Sequence, residues 1–191
     1  MLKDLLKKNR SYRRFYNDKK ITRDQLKELI ELARLTPSAA NLQPLKYILI
    51  SEEEMNRKVY ETLNWAGYLK DWDGPIEGER PAGYIIMLRD KSITQKQSVD
   101  EGISAQTICL GAVEQGLGCC IIASINRTKL TENLNIDHNF DIALVIALGY
   151  PKENVIIEDA KEDGSIKYYR DNKGNHYVPK RSVNELIIKE I

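Results

Sequence analysis

A compact cationic cluster lies near the N-terminus, where Arg10, Ser11, Arg13 and Arg14 fall within five positions. An arginine presents a planar fork of N–H donors that matches phosphate oxygens, and a serine hydroxyl can add a short hydrogen bond. Alternate residues of an extended segment point to one side, so Ser11 and Arg13 can converge on a ligand, whereas Arg10 needs a twist or turn to join them. The cluster therefore predicts a phosphate site. A solvated basic turn, anchored in the core by the neighbouring aromatic residues, is the alternative.

A second candidate segment, TPSAANLQP, covers residues 36–44. Pro37 and Pro44 stand near its ends, and between them are small residues and two amides, Asn41 and Gln43, without any charge. Each proline fixes its own φ and biases the preceding residue away from helical geometry. Such a segment can bring backbone N–H groups and amide side chains close to a flat polar ligand. An ordinary helix-to-strand loop has the same composition and is the alternative.

Both tryptophans of the chain lie in an irregular stretch over residues 64–82. The stretch is longer than the usual connection between two elements, and long loops often serve as lids or binding loops. We therefore expect Trp65, Tyr68 and Trp72 to form an aromatic wall over a substrate. A surface loop held in place by its aromatic residues is the alternative.

Self-sufficient catalytic sets are missing from the sequence. It has no G-x-S-x-G elbow, no P-loop and no G-x-G-x-x-G after a first strand. Cys119 and Cys120 are adjacent instead of having the redox-active C-x-x-C spacing, so buried reduced thiols are expected. His138 and His176 are far apart and lack ligand-type neighbours, so no metal site is expected. A site for phosphate and a polar ring without an acid, base or nucleophile suggests that a cofactor performs the chemistry.

Composition limits the class of protein. Apolar residues make up 42% of the 191 residues and charged residues 30%, which is typical of one globular domain over residues 1–191. The net charge of +1 gives no global electrostatic case for a nucleic-acid partner or an anionic membrane. No apolar run approaches the roughly 20 residues that span a bilayer. The N-terminus has no secretory pattern, so a cytoplasmic location is expected.

The hydrophobic pattern predicts the elements that position these residues. Helices are expected over residues 1–9, 22–36, 51–63, 99–115 and 126–134, and apolar strands over 45–50, 83–88, 119–123 and 141–148. Capping boxes are expected to start two of the helices, at Thr22 and Ser51. The helix over 99–115 is apolar enough to be central or buried in a subunit interface. Because helices and strands alternate without a regular doubly wound order, the expected fold is α+β.

The C-terminal part has a different pattern. Residues 168–178 resemble a hairpin with a glycine-containing turn. The apolar run over 186–188 is expected to be buried, on another subunit or on a free sheet edge.

Together these motifs resemble the FMN-dependent nitroreductase family. The resemblance rests on RSYRRF at 10–15, Ala33-Arg34, PSAANLQP at 37–44, the helix that ends in Gly-Leu-Gly at 116–118, and a basic residue near the C-terminus. It covers essentially the whole chain. It implies a three-layer α+β fold, with a mostly antiparallel central sheet flanked by helices. It also implies an intertwined homodimer with FMN at the interface, and electron transfer by a ping-pong route from NADH or NADPH to a small-molecule acceptor.

The resemblance implies flavin contacts from four segments. These are Arg10, Ser11 and Arg13 for the phosphate and ribityl chain; Pro37, Ser38, Ala39, Asn41 and Gln43 for the ring or ribityl chain, from either subunit; Ile121, Ile122 and Ala123 along one ring face; and Arg181 with its neighbour Lys180 for the phosphate.

The chain departs from the family pattern after the Gly-Leu-Gly segment. Many relatives have an acidic residue where this chain has Ala123-Ser124, which leaves the choice of hydride donor open. The leading hypothesis is an FMN oxidoreductase acting on a nitroaromatic, a quinone or a similar planar electrophile. The chain also resembles the flavin-dependent dehalogenases of iodotyrosine, for which Lys70, Glu77, Glu79 and Arg80 are candidate contacts to an amino-acid zwitterion. A flavin-binding protein with little turnover is a third possibility.

Overall fold

The computed structural model describes residues 1–191 and is built on a four-stranded antiparallel sheet with the order β1-β2-β4-β3. The strands are β1 (Leu45–Ile50), β2 (Gly83–Asp90), β3 (Gly118–Ile122) and β4 (Phe140–Gly149). The central strands β2 and β4 are nearly continuous apolar runs because both of their faces are covered. All four strands predicted from apolar runs are present, within two residues of the expected ends.

The helices are α1 (Leu2–Lys8), α2 (Arg23–Arg34), α3 (Glu53–Tyr60), α4 (Asp100–Glu114), α5 (Arg127–Leu134) and α6 (Val183–Leu186). Helices α2 and α4 cover one face of the sheet and α3 and α5 cover the other, whereas α1 packs against α4 and α6 is exposed. Successive residues of β2 point to opposite faces, so Ile85 packs with α2 and α4 while Tyr84 packs with α3 and α5. Two buried cores result, one on each face. The expected three-layer α+β fold is confirmed. No helix combines the length and apolarity that a membrane crossing requires.

One of the two expected capping boxes is present. Thr22 and Gln25 satisfy each other's backbone N–H groups across 3.0 and 3.1 Å at the start of α2. The prediction at Ser51 is wrong: α3 begins at Glu53 after Glu52, and it ends at Tyr60 instead of 63. The reason for the early end is tertiary, because Asn64 donates its backbone N–H to the carbonyl of Ser124 and draws the chain away.

A second, three-stranded sheet forms from the C-terminal part in the order β5-β7-β6. Its strands are β5 (Val155–Asp159), β6 (Tyr169–Arg170) and β7 (His176–Lys180). The expected hairpin is confirmed as β6 and β7, whereas the parallel pairing of β5 with β7 was not foreseen. The expected burial of the final apolar run is not found within one chain, where Ile188 is 97% exposed. The residues after α6 have no apolar surface of their own chain to cover them.

Candidate functional site

A cavity of about 340 Å³ lies between the N-terminal segment, β3, α4 and the second sheet. We call it the cationic cavity, and its polar lining includes Arg10, Ser11, Arg13, Gln106, His176 and Lys180. The N-terminal segment follows the free edge of β3, where Tyr12 donates its N–H to the carbonyl of Cys119 across 2.9 Å. The same N–H lies 2.9 Å from the carbonyl of Arg10, which closes a tight turn at Ser11. This is the turn that brings Arg10 to the same cavity as Ser11 and Arg13.

Phe15 anchors this segment from below. It has no exposed surface, and it packs so closely over Gly149 of β4 that a Cβ there would lie 2.7 Å from the phenyl ring. Glycine is therefore required at 149 by contact and not by backbone conformation. The contact between Phe15 and Gly149 therefore sets the distance between the arginine cluster and the sheet.

The arginines of the cavity lack carboxylate partners for their side chains. Arg10 donates from Nη2 to the carbonyl of Leu6 at 2.8 Å, and its buried Nε has no partner. Arg13 donates from Nη1 to the carbonyl of Ser11 at 3.1 Å. Burial is the main cause that lowers the pKa of Arg10 below its usual range. Buried donors without acceptors are costly, so the cavity suits a ligand that carries anionic oxygens.

His176 belongs to the same cavity and was not predicted as a site residue. It is fully buried, its Nε2 lies 3.2 Å from Nη1 of Arg13, and its Nδ1 has no partner. Burial, with Arg13 and Arg170 nearby, lowers its pKa to about 4. His176 is thus neutral near pH 7, with Nε2 accepting from Arg13 and an N–H at Nδ1.

Glu153 is a buried carboxylate that contacts both Arg13 and Arg170 next to the cationic cavity. Its side chain has no exposed surface and accepts hydrogen bonds from the backbone N–H of Arg13 and, at 2.9 Å, from Nη2 of Arg170. Sequence reasoning missed Glu153, Arg170 and His176. They stand about 140 to 160 positions from Arg13, and no local pattern distinguishes them from other charged residues.

The Pro37–Pro44 segment is a preorganised loop. Ala40, Asn41 and Gln43 have φ of 50, 55 and 51°, values that non-glycine residues rarely adopt. Asp100, at the start of α4 and 3% exposed, accepts from the Ser38 hydroxyl at 2.5 Å and from the Ala39 N–H at 3.1 Å. Strained backbone persists only where surrounding contacts hold it. The loop therefore presents its exposed amides in one fixed arrangement.

Ser38 is used inside this loop. Its hydroxyl donates to Asp100 and accepts the N–H of Gln43 at 2.9 Å. Both hydrogen-bonding functions of the Ser38 hydroxyl are therefore used within the chain, and the predicted contact of Ser38 with a flavin stays a prediction. Asn41 and Gln43 remain exposed, and the Gln43 amide rests on the Asn41 side chain at 3.2 Å.

One chain does not bring the two predicted flavin-binding segments together. Pro37, Ser38 and Gln43 border a separate cavity of about 470 Å³ between α2 and β1, whereas the arginine cluster borders the cationic cavity. Helix α4 touches both, through Asp100 at one cavity and through Gln106 and Cys109 at the other. At 1.5 Å of rise per residue, these positions are about 9 to 14 Å apart along the helix.

Of the predicted flavin contacts on β3 and near the C-terminus, some line the cationic cavity and others do not. Ile121 is 40% exposed and lines the cationic cavity, but Ile122 points to the opposite face and is buried in the core, because side chains alternate along a strand. Ala123 is exposed beyond the end of β3. Lys180 lines the cationic cavity, whereas Arg181 turns to Glu185 at 3.5 Å outside it. Within one chain, the side chains of Ile121 and Lys180 therefore line the cationic cavity. Those of Ile122 and Arg181 do not, which corrects the expected contacts of these two residues.

The aromatic wall predicted from the 64–82 stretch is wrong for Trp65. That side chain is 8% exposed, stacks on Tyr60 with 6.0 Å between ring centroids, and packs in the core. Tyr68 and Trp72 lie elsewhere, against the β6–β7 hairpin: Tyr68 contacts Tyr168 with 4.9 Å between ring centroids, and Trp72 lies under the guanidinium of Arg170 at 4.1 Å. These two residues therefore border the hairpin beside the cationic cavity.

Two of the four candidate contacts to a zwitterion are already engaged. Glu79 is buried and pairs with Arg14 at 2.5 and 2.6 Å and with Lys152 at 3.0 Å, which lowers its pKa to about 2. The guanidinium of Arg80 lies over the ring of Tyr60 at 4.1 Å. The structure does not gather these residues into an amino-acid site within one chain.

The three cysteines are free and buried, as expected. Cys119 lies 3.6 Å from Oδ1 of Asn9, and contact with Cys109 together with burial raises its pKa well above the usual range. Burial likewise raises the pKa of Cys120 to about 11. A thiol must ionise to act as a nucleophile, so these side chains serve packing.

A family model described as the nitroreductase family matches residues 6–73 and 76–150. A protein of Archaeoglobus fulgidus named as an NADH dehydrogenase/NAD(P)H nitroreductase is 28% identical over 141 residues, which are 73% of this chain and 80% of that protein. The iodotyrosine deiodinase of Thermotoga neapolitana is 24% identical over an alignment of 170 positions that covers 80% of this chain and 90% of the enzyme.

Solved structures establish the fold independently. A nitroreductase family protein from Streptococcus pneumoniae TIGR4 aligns over 100% of both chains with a TM-score of 0.70 and 20% identity. An FMN-dependent nitroreductase from Clostridium difficile R20291 aligns over 78% of this chain and 87% of its own, with a TM-score of 0.62 and 24% identity.

Proposed function

Because the chain belongs to the nitroreductase family, we propose that it is an FMN-dependent oxidoreductase using NADH or NADPH. The electron acceptor is a planar electrophile such as a nitroaromatic or a quinone. The observation that carries this proposal is the cationic cavity, where Arg10 and Arg13 converge without carboxylate partners for their side chains. The names of the relatives, including an FMN-dependent nitroreductase, are consistent with it.

The residues of the cavity fit the phosphate end of FMN. Arg10 and Arg13 supply charged donors, Ser11 a hydroxyl, and Lys180 a further positive charge at the rim. The buried and unpaired Nε of Arg10 and Nδ1 of His176 are donors that an anionic ligand would satisfy. Bound FMN supplies the redox chemistry by accepting a hydride from the nicotinamide and returning electrons to the acceptor. Ile121 supplies an apolar contact beside the charged end.

We propose that the complete site needs two chains. The Pro37–Gln43 loop and the cationic cavity are separate in one chain, and exposed apolar side chains surround the loop. Leu42 is 49% exposed, Val99 just before α4 is 71% exposed, and Ile103 on α4 is 37% exposed. A second copy that covers this surface would bring its loop, with Pro37, Ala39, Asn41 and Gln43, to the flavin of its partner. The resulting assembly is an intertwined homodimer, in which each chain is a single domain over residues 1–191.

The order in which the two substrates react follows from their use of one binding site at the flavin ring. The donor and the acceptor would occupy the same exposed ring face in turn, which predicts ping-pong kinetics. We assign no acid or base role to a side chain of the cationic cavity, where His176 is neutral near pH 7 because burial and the nearby arginines lower its pKa to about 4. The expected cytoplasmic location rests on the N-terminal sequence and stays a prediction.

Reductive dehalogenation is the second candidate, favoured by the deiodinase relative. The engagement of Glu79 and Arg80 weighs against it, because it leaves Lys70 and Glu77 alone of the proposed zwitterion contacts. A flavin carrier with little turnover is the remaining alternative.

The test is anaerobic reduction of the flavin-loaded protein by NADH and by NADPH, followed by reoxidation with one acceptor at a time. We expect reoxidation by a nitroaromatic or a quinone to be much faster than by an iodinated tyrosine. The reverse order would favour the dehalogenase. Slow reoxidation by every acceptor would indicate a carrier, and failure to take up FMN would exclude all three.

A further inference from the structure

Two chains of side-chain contacts connect the 64–82 loop with the arginine cluster of the cationic cavity. Both pass through the β6–β7 hairpin, and both end on Arg13. The hairpin therefore lies between the segment that holds the aromatic residues and the proposed phosphate site.

The first chain of contacts is ionic. Trp72 of the loop lies under the guanidinium of Arg170 at 4.1 Å. Arg170 donates to Glu153 at 2.9 Å, and the other carboxylate oxygen of Glu153 accepts the backbone N–H of Arg13. The side chains of Glu153 and Arg170 are 0% and 15% exposed, so water does not screen this pair.

The second chain of contacts is aromatic. The backbone N–H of Tyr68 donates to the Tyr168 hydroxyl at 3.3 Å, and the two rings pack together. Tyr168 in turn lies under the guanidinium of Arg13 at 4.9 Å, and its ring contacts buried His176 at 5.3 Å between centroids. A change at the Arg13 side chain thus reaches the loop through two rings.

The charge balance gives the coupling a direction. Glu153 accepts a hydrogen bond from the side chain of Arg170 but only from the backbone N–H of Arg13, and burial together with the positive charges of Arg14 and Arg13 lowers the pKa of Arg170. The positive charges of Arg13 and Arg170 therefore repel each other, because the Arg13 guanidinium has no carboxylate partner of its own. A phosphate at Arg13 adds negative charge on the open side of the cluster. It relieves that repulsion and favours a closer fit of the hairpin, with its attached loop, against the cavity.

We propose that Glu153 and Arg170 are positioning residues that couple the phosphate site at Arg13 to the Trp72 loop, so that a flavin with a phosphate orders the loop more than a flavin without one. The proposal rests on the proposed function for the identity of the ligand. The new element is that the phosphate of the bound flavin changes how firmly the 64–82 loop is held against the β6–β7 hairpin.

The test compares FMN with riboflavin, which has the same ring and no phosphate, on the full chain. Hydrogen–deuterium exchange of the backbone amides over 64–74 reports local opening of the loop. At saturating flavin, we expect FMN to slow this exchange about fivefold or more relative to riboflavin, the lower range of measured coupling between sites.

Two variants interrupt the first chain of contacts and one matched variant does not. Trp72→Leu removes the stacked ring, and Arg170→Lys keeps the charge but loses the planar fork. Both should bring the FMN-to-riboflavin ratio of exchange rates clearly closer to one, and the aromatic chain of contacts through Tyr168 accounts for any ratio that remains. Arg80→Lys is the control, because Arg80 lies over Tyr60 at the same 4.1 Å and holds the other end of the loop without a contact to Arg13. It should speed exchange with both flavins and preserve their ratio.

Equal protection by the two flavins in the natural chain would overturn the proposal, as would an unchanged ratio in both Trp72→Leu and Arg170→Lys. The visible absorption of bound flavin separates this result from failure of the proposed function. If neither flavin binds, inorganic phosphate replaces them. Slower loop exchange with phosphate then supports the coupling, and no change with phosphate refutes it.

Discussion

The hydroxyl of Ser38 donates a hydrogen bond to Oδ2 of Asp100 across 2.5 Å. This contact joins the loop before β1 to the first residue of α4, 62 positions later in the chain. It also explains how three non-glycine residues of the loop keep a left-handed backbone conformation. The contact therefore ties the loop to the start of α4, and a binding segment for a flat ligand requires such support.

Asp100→Asn should weaken this attachment. Hydrogen bonds to a charged acceptor contribute about 1.5–3 kcal/mol, so we expect the free energy of unfolding to fall by about 2 kcal/mol. FMN affinity should fall about tenfold, because the amides of Asn41 and Gln43 would lose their fixed arrangement. Urea unfolding and flavin titration measure the two effects. Glu53→Gln, which removes an exposed acid from the first turn of α3, is the control for the helix dipole and should change neither by more than about 0.5 kcal/mol.

The Glu79 carboxylate should make stability depend on pH in the acid range. Its pKa is about 2 in the folded chain against an ordinary value of 4.5, because Arg14 and Lys152 bind the ionised form. A carboxyl group with a lowered folded pKa stabilises the fold above pH 4.5, and this stabilisation is lost as pH falls toward 2. The full contribution is about 3 kcal/mol. Unfolding of the natural chain and of Glu79→Gln over this window measures it, and parallel curves would contradict the assignment.

His176 should make stability depend on pH at higher values, mostly above the range of Glu79. Its pKa is about 4 in the folded chain against 6.5, because burial and two arginines disfavour the charged ring. Only the unfolded chain binds a proton between these values, so stability should fall by up to about 3 kcal/mol as pH drops from 6.5 to 4. His176→Gln lacks this loss. The difference in unfolding free energy between the two proteins should therefore shrink across this window, and a constant difference would show that the ring is not neutral when buried.

Gly149→Ala should displace the N-terminal motif. The added methyl group would lie 2.7 to 2.9 Å from Phe15, and overpacking of this kind costs about 1–3 kcal/mol. Because Phe15 supports the arginine cluster, FMN affinity should fall together with the melting temperature. Gly78→Ala is the matched control, since a methyl group there meets no atom within 4 Å. Equal melting temperatures for the two variants would contradict the packing described at Phe15.

Local patterns were sufficient for the strands of the main sheet, for four of its flanking helices and for the convergence of Ser11 and Arg13 on one cavity. They succeed where period, capping chemistry and short-range sterics decide the outcome. Trp65 shows their limit, because a large aromatic residue in an irregular loop can as readily be a core anchor as a binding surface, and only its packing on Tyr60 decides.

The polar partners of the cluster show a second limit. Glu153, Arg170 and His176 reach Arg13 through the pairing of β5 with β7, a contact that no local pattern encodes. The early end of α3 has a similar cause in the distant carbonyl of Ser124. The use of the Ser38 hydroxyl by Asp100 is likewise invisible in either segment alone.

The central claim is that the cationic cavity holds the phosphate of a flavin, and the most direct measurement is the ratio of the dissociation constants of riboflavin and FMN. We expect the natural chain to bind FMN at least about a hundredfold more tightly, because two arginines and a serine of the cavity would contact the phosphate. In Arg13→Gln that ratio should fall about tenfold or more while riboflavin affinity stays within about twofold. Equal affinity for the two flavins in the natural chain, or a ratio unchanged by Arg13→Gln, would contradict the account.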